Sequence, residues 1–419
     1  MRLLFLCVAS PYPANNGRRM RTRALLQALA SEGHDLTLLT FAEPGELTGV
    51  STALAEFCRE VHCVPLTPKS VSSSFDLPAR LRGLFSGKPY FVQKFASSAM
   101  RQLIQKHLAR GEYDVVVCDT VCSMVNLPPS PVPLLLDSVD VQHIILQRYL
   151  ALEHNPAKKL YAWSESRKVR RWEEGACQMS ALNLACSEYD ARLLQSLAPA
   201  SRVIVVPNVI DVDSYSVSAD SDSPTVLYQG GMDWFPNRDA VDYFVLEILP
   251  ELRKRVSGIR FVVAGRGPSD EFRGRYAGIQ DVEFTGTVPD MRPVIANAAV
   301  CVVPLRIASG TRLKILEAAA MGKAIISTRV GAEGLDFIHG EDIVIADEPQ
   351  QFARAVADLL VHVSRRRRIG EAARKRVENQ YSLATLRASL RRAFVELEDT
   401  APKVRDNPML EIATDDATT

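Results

Sequence analysis

A chain of 419 residues exceeds what one ordinary core organises, and two domains of about 150–200 residues are the natural expectation. Hydrophobic residues at 47% and charged residues at 24% exclude a disordered or membrane-embedded chain. With 50 basic and 49 acidic residues the net charge is +1, which gives no reason to expect nucleic acid as a partner.

The chain opens on Leu3–Ala9, an apolar run behind Arg2 that imitates a secretory leader. The run is at the short limit for such a leader and stops at Pro11-Tyr12-Pro13, so a buried first strand is the better reading. No later stretch reaches the roughly 18 apolar residues of a membrane span. Further strand-like runs follow at Leu36–Phe41, Val61–Pro65, Asp114–Cys118, Pro133–Leu136, Ala181–Cys186 and Val203–Val206. Helical patterns lie between them at Met20–Ser31, Ser97–Ala109, Val141–Leu152, Ala157–Met179 and Glu188–Leu197. Such alternation is the pattern of parallel α/β layers.

The stretch Asp211–Pro224 is polar and turn-forming, without an apolar period, and reads as a linker. Alternation then restarts with strands at Val226–Tyr228, Arg260–Ala264, Asp281–Phe284, Val300–Pro304, Ala324–Ser327 and Ile343–Ala346. The helices expected here are Arg238–Val256, Arg312–Met321, two or more within 350–379, and one over 382–398. The predicted division is 1–208, a linker 209–224, a second domain 225–381, a last helix 382–398 and a polar, disordered tail 399–419. Two Rossmann-like α/β halves facing across a cleft follow, with ligands at the carboxyl ends of the strands. Eight cysteines show no CxxC and no zinc-ligand spacing, so they read as buried, reduced thiols of a cytoplasmic protein.

The sharpest signal is Ser309–Glu317, SGTRLKILE, where a strand ends in a loop and a helix begins near Thr311 or Arg312. A helix N-terminus offers unpaired N–H groups and a partial positive charge, which suits a diphosphate. Gly310 allows close backbone approach, and Thr311 and Arg312 add hydroxyl and guanidinium donors. Lys314 and Glu317 share a helix face, so one can meet phosphate while the other accepts hydrogen bonds from ribose hydroxyls.

This arrangement resembles the retaining glycosyltransferases of the group 1 (family four) class with the GT-B fold, and exopolysaccharide sugar transferases in particular. Glu317 matches the second Glu of the class's paired-glutamate motif and is followed by AAAMGKAIIST and VGAEGL. Ser309 stands where the class has its first Glu, a donor-sugar contact. PYPANNGRRMRT is similar to the class's N-domain glycine loop, with Gly17 facing the diphosphate and Arg18 or Arg19 nearby. VVPNVIDVD resembles the hinge segment, with Val209 where Gly is usual. GGMDWFPNRDAVDYF, containing Gly231, stands where the class carries Arg and Lys for the phosphates, and Arg238 is the basic candidate. FVVAGRGP and TGTVPDMRPVIANAAVCVVP match further landmarks, although Gly265 and Gly267 read better as a strand-to-helix turn than as nucleotide contacts.

The resemblance implies transfer of a sugar from a nucleoside-diphosphate sugar to a glycan or lipid-linked acceptor, with retention of configuration. It implies no cofactor and no essential metal, and the last helix would cross back to the first domain. The donor residues would be Gly17, Arg18, Gly231, Arg238, Ser309, Gly310, Thr311, Arg312, Leu313, Lys314 and Glu317, with Arg312 and Lys314 stabilising the departing diphosphate. Asp119 falls where the class commonly has a His. Asp119, Asp137 and Asp140 lie at or beyond strand ends, and two readings stand for them. One of them orients the acceptor hydroxyl or steadies charge on the donor ring, or they are helix N-caps. His143 and His154 read as surface helix residues. The basic, aromatic Lys158–Trp172 is either a helix lying on an anionic membrane or a solvated one. Arg365–Arg368 reads as an ordinary helix, not as a nucleic-acid patch. The rival functions are a nucleotide-sugar epimerase on the same fold and a non-catalytic nucleotide-sugar-binding protein.

Overall fold

The computed structural model describes residues 1–66, 86–217 and 223–398, so the expected tail 399–419 and part of the expected linker lie outside the described residues. The described chain forms two compact units, Met1–Pro207 with the chain from Leu386 onward, and Asn208–Thr385.

The first unit is built on seven parallel strands: β1 (Arg2–Cys7), β2 (Asp35–Ala42), β3 (Glu60–Pro65), β4 (Val115–Cys118), β5 (Leu134–Ser138), β6 (Leu182–Ala185) and β7 (Val203–Val205). Their order across the sheet is β3-β2-β1-β4-β5-β6-β7. The second unit carries β8 (Thr225–Gln229), β9 (Arg260–Ala264), β10 (Val282–Gly286), β11 (Val300–Val303), β12 (Ala324–Ser327) and β13 (Val344–Ile345), ordered β10-β9-β8-β11-β12-β13. Every run expected to be a strand is one, with ends shifted by a residue or two. The apolar opening run is β1, paired on both sides with Leu3 opposite Leu36 and Val115. Leu3, Leu4 and Phe5 are fully buried, because a parallel strand covered on both faces must be apolar throughout.

Among the described residues, the helices of eight residues or more are α1 (Gly17–Ser31), α2 (Leu47–Leu54), α3 (Ser98–Leu108), α4 (Gln142–Leu152), α5 (Pro156–Met179), α6 (Glu188–Leu197), α7 (Phe235–Tyr243), α8 (Leu313–Ala320), α9 (Pro349–Val361), α10 (Val363–Gln380) and α11 (Leu383–Glu398). The helix expected over 238–256 is interrupted. After α7 comes a π-helical turn, Phe244–Ile248, and only then a last helical turn, Leu249–Arg253. Pro250 lacks the N–H that would close on the carbonyl four residues earlier, so the ladder widens there. Helix α8 ends in a Schellman closure: Gly322, at φ +70°, and Lys323 donate to Ala319 and Ala318. From Leu386 helix α11 belongs to the first unit, where Arg391 pairs with Glu32 and Phe394 packs on His34.

In both sheets the chain lays three strands to one side and then reverses. The reversal falls between β1 and β4 in the first and between β8 and β11 in the second. At such a switch point the loops leave in opposite directions and open a crevice at the carboxyl ends of the strands, where ligands of open α/β sheets bind. All eight cysteines are free, and all but the half-buried Cys63 are buried.

Candidate functional site

In the second unit the crevice is walled by the residues after β8 and by the loop and helix after β11. Lys314 and Glu317, on α8, both face the end of β8. Lys314 Nζ lies 3.1 Å from the Tyr228 hydroxyl and 3.1 Å from Asn237 Oδ1, and 4.4 Å above the Tyr228 ring. Glu317 accepts from the Gln229 side-chain amide at 2.8 Å and from the Tyr215 hydroxyl at 3.1 Å. Burial pushes the Lys314 ammonium down to about 7, with the Arg312 charge adding to the effect. Burial likewise pushes the Glu317 carboxyl up to about 7 against its two hydrogen bonds and the lysine charge. A cation and a carboxylate with these tendencies, one helical turn apart at a switch point, suit an anionic ligand that also carries hydroxyls.

The rest of the string closes the loop. Gly310 has φ +72°, a left-handed conformation that glycine adopts without steric cost. Ser309 is buried, and Thr311 Oγ1 accepts from Asn208 at 2.8 Å. The helix starts at Leu313, whose side chain is in the core, so the N–H groups of its first turn point out of the helix end. Two expected phosphate donors are placed otherwise. The Arg312 guanidinium is buried and donates to the carbonyls of Ser309 and Val330, tying the loop after β11 to the turn after β12. Arg238 donates to the Met232 carbonyl at 2.8 Å and clasps the loop after β8. In that loop a side chain on Gly231 would collide with Asp233, and one on Gly265 would run into the Gly230 carbonyl. Gly265 is thus a packing requirement between two strand ends.

In the first unit Gly17 is the exposed first residue of α1, whose cap is Asn16 accepting from the Arg19 N–H at 3.1 Å. The two arginines left open by the sequence separate here. Arg19 is buried and paired with Glu46, whereas Arg18 lines a small pocket with Thr120, Ser138, Asp140 and Gln142. Asp119 sits at the β1/β4 switch point, fully buried, with both oxygens 3.3 Å from the Val8 N–H and Ser123 Oγ at 3.3 Å. Burial pushes its carboxyl up to about 7 while the charge of Arg18 opposes the rise. Asp137 is also fully buried, and the Arg21 guanidinium grips both its oxygens while donating to the Val206 carbonyl. Its geometry is that of a structural ion pair.

None of the three aspartates is a helix N-cap. Helix α4 has Val141 at that position, and its first N–H groups, on Gln142 and His143, are met by Glu173 of α5 at 2.6 and 3.0 Å. Glu173 also holds His143 Nδ1 at 2.8 Å, so His143 is a buried residue and not a surface one. His154 is exposed but lies in the loop between α4 and α5, outside any helix. No sequence signal within α4 could reveal a cap that arrives from a helix 30 residues away.

Comparison with known proteins adds an independent line. The profile described as "Glycosyl transferases group 1" matches residues 223–362, and that of "Glycosyltransferase Family 4" matches residues 16–214. An uncharacterized 44.6 kDa protein in the cps region of Klebsiella pneumoniae is 22% identical over 395 residues, covering 91% of this chain and 96% of that protein. The phosphatidyl-myo-inositol mannosyltransferase of Mycobacterium tuberculosis is 27% identical over 51% of this chain and 60% of its own length. Among solved structures, the sucrose-phosphate synthase of Thermosynechococcus elongatus superposes with a TM-score of 0.72 at 17% identity, covering 96% of this chain and 100% of that one. HepE of Anabaena, in complex with UDP and glucose, superposes at 0.63 with 15% identity, covering 94% of this chain and 99% of that one. At these identities the superpositions speak for the fold, two parallel-sheet α/β domains of the GT-B type.

Proposed function

The chain belongs to the group 1 glycosyltransferases, and from that premise we propose that it moves a sugar from a nucleoside-diphosphate sugar to a glycan or lipid-linked acceptor with retention of configuration. The observation that carries the proposal is the convergence of Lys314 and Glu317 on the end of β8. Each is held by two side chains from outside its own helix. In this reading Lys314 and the α8 N-terminus receive the diphosphate, Glu317 the ribose hydroxyls, and Ser309 with Gly310 border the sugar. Pre-placed positive charge at the departing diphosphate supplies the main catalytic contribution, and front-face attack by the acceptor follows. The Asp-x-Asp at Asp211–Asp213 lies in the segment between β7 and β8, and side chains rather than a metal are proposed to neutralise the diphosphate.

Asp119 is proposed as the acid of the acceptor side, acting near the Arg18 pocket. The relative in the cps region supports the proposal of a role in exopolysaccharide or cell-surface glycan synthesis. For a cytoplasmic enzyme with a lipid-linked acceptor, the exposed face of α5 is the proposed peripheral contact with an anionic membrane. No helix among the described residues is long and apolar enough to cross one.

A thermal-shift panel of UDP-, GDP- and ADP-sugars tests the donor. One of them should raise Tm in proportion to its affinity, because it binds the folded state alone. NMR of the product formed with a lipid-linked acceptor should then show the donor's own anomeric configuration. Inversion would overturn the retaining mechanism, and an epimer formed from donor alone would favour an epimerase.

A further inference from the structure

Away from the strand ends that carry the site, three ligand-type side chains meet at the start of edge strand β3. Glu60 and His62 are two residues apart on that strand and therefore share a face. His107 comes from the last turn of α3. One ligating atom from each lies within 4.8 Å of the others, and the two imidazole rings meet edge to face with centroids 4.8 Å apart.

The state of His107 is informative. It is 1% exposed, its Nδ1 faces the Tyr113 hydroxyl at 2.8 Å, and its Nε2 is buried with no hydrogen-bond partner. In the tautomer whose Nδ1–H donates to Tyr113, Nε2 presents a bare lone pair. Metal-bound histidines are held in this way, one nitrogen to an outer partner and the other to the ion.

His62 Nε2 lies 3.1 Å from Glu60 Oε2, and both groups can act as ligands. Arg110 donates to the two Glu60 oxygens at 2.9 and 3.1 Å, which orients the carboxylate and leaves it further lone pairs. The guanidinium of Arg59 is also close, 3.6 Å from Glu60, and Glu112 accepts from both arginines. These charges nearly balance, so they neither attract nor expel a cation strongly. His62, with its side chain 38% exposed, gives the entry path.

We propose that Glu60, His62 and His107 form a binding site for a divalent transition-metal ion of the zinc class, which clamps β3 to α3. Two imidazoles and a carboxylate are a ligand set zinc commonly takes, with water in the fourth position. Ligand atoms about 2.0–2.1 Å from such an ion are ~3.4 Å apart, so the three must close by up to about 1.4 Å. Rotation of the partly exposed Glu60 and His62 side chains supplies that movement.

The test is titration of the chelator-stripped full-length protein with Co2+, followed by visible absorption, and with Zn2+, followed by displacement of Co2+ and by thermal shift. The expected result is one ion per chain, a tetrahedral Co2+ spectrum and a raised Tm. The variants His62→Ala and Glu60→Gln, both altered at partly exposed positions, should weaken binding by about tenfold or more. Cys63→Ser should bind as the unaltered protein does. The proposal fails if no stoichiometric binding occurs below about 100 µM, if His62→Ala binds unchanged, or if Cys63→Ser abolishes the signal.

Discussion

A lysine pushed down to about 7 and a glutamate pushed up to about 7, three residues apart, titrate in one window. Between about pH 7 and the ordinary lysine value, the unfolded chain holds a proton at position 314 that the folded chain lacks. Stability therefore rises with pH there. Between the ordinary glutamate value and about pH 7 the folded chain keeps a proton at position 317 that the unfolded one has lost, and stability falls with pH. A bound diphosphate favours charged Lys314, so donor binding takes up a proton at that residue. Lys314→Met should flatten the loss of nucleoside-diphosphate affinity between pH 7 and 9. Ribose hydroxyls donating to Glu317 favour its charged form, so binding releases a proton there, and Glu317→Gln should remove that release. Calorimetry in buffers of different ionisation enthalpy reads both, and equal proton uptake in the unaltered protein and Lys314→Met would contradict the assignment. Lys314 and Glu317 are legible in the sequence because helical periodicity puts them on one face. The positions of Arg312, Arg238 and Asp137 are not, because their partners are main-chain carbonyls and a guanidinium set by the tertiary fold.

At the scale of elements, the central strands were readable because each is a short apolar run covered on both faces, whereas the edge strands β3 and β10 are only partly buried. The helices were less so. Burial and exposure alternate along α5: Glu165, Val169 and Glu173 face the core, while Lys158, Lys159, Leu160, Trp163, Arg167, Arg170 and Arg171 are exposed. Of the three aromatics in this segment, Trp172 is taken inward, donating to the Val121 carbonyl at 2.9 Å, and Trp163 remains out with Arg167 over its ring at 4.9 Å. The sequence could not tell these apart. An exposed apolar pair flanked by cations suits an anionic surface, each cation contributing about 1 kcal/mol near it. Co-sedimentation with phosphatidylglycerol-containing vesicles should fall several-fold for a Trp163→Ala/Arg167→Glu/Arg170→Glu variant and be weak with neutral vesicles in all cases. Equal binding by variant and parent would remove α5 from the account. The tetra-arginine run 365–368 is partly consumed within the fold, with Arg365 on Asp358 and the buried Arg366 on the carbonyls of Leu359 and Leu360.

Over the whole molecule, two sheets repeat one winding: three strands laid outward, then a reversal beside the first. Strand and helix alternation made this legible, since a parallel strand pair needs a covering crossover. The switch points follow from strand order, which periodicity alone does not reveal. SGTRLKILE joins the end of β11 to the start of α8, as its pattern predicts. The return of α11 to the first unit rests on contacts such as Arg391 with Glu32, more than 350 residues apart in the chain.

The central claim is that this crevice holds the donor through Lys314 and Glu317. Its most direct test is calorimetric titration of the nucleoside-diphosphate sugar that shifts Tm most into the parent protein, Lys314→Ala and Glu317→Ala. Loss of charge-assisted hydrogen bonds worth about 1.5–3 kcal/mol predicts an affinity drop of roughly 10- to 150-fold in each variant, with the fold retained by circular dichroism. Unchanged affinity in both folded variants would contradict the account.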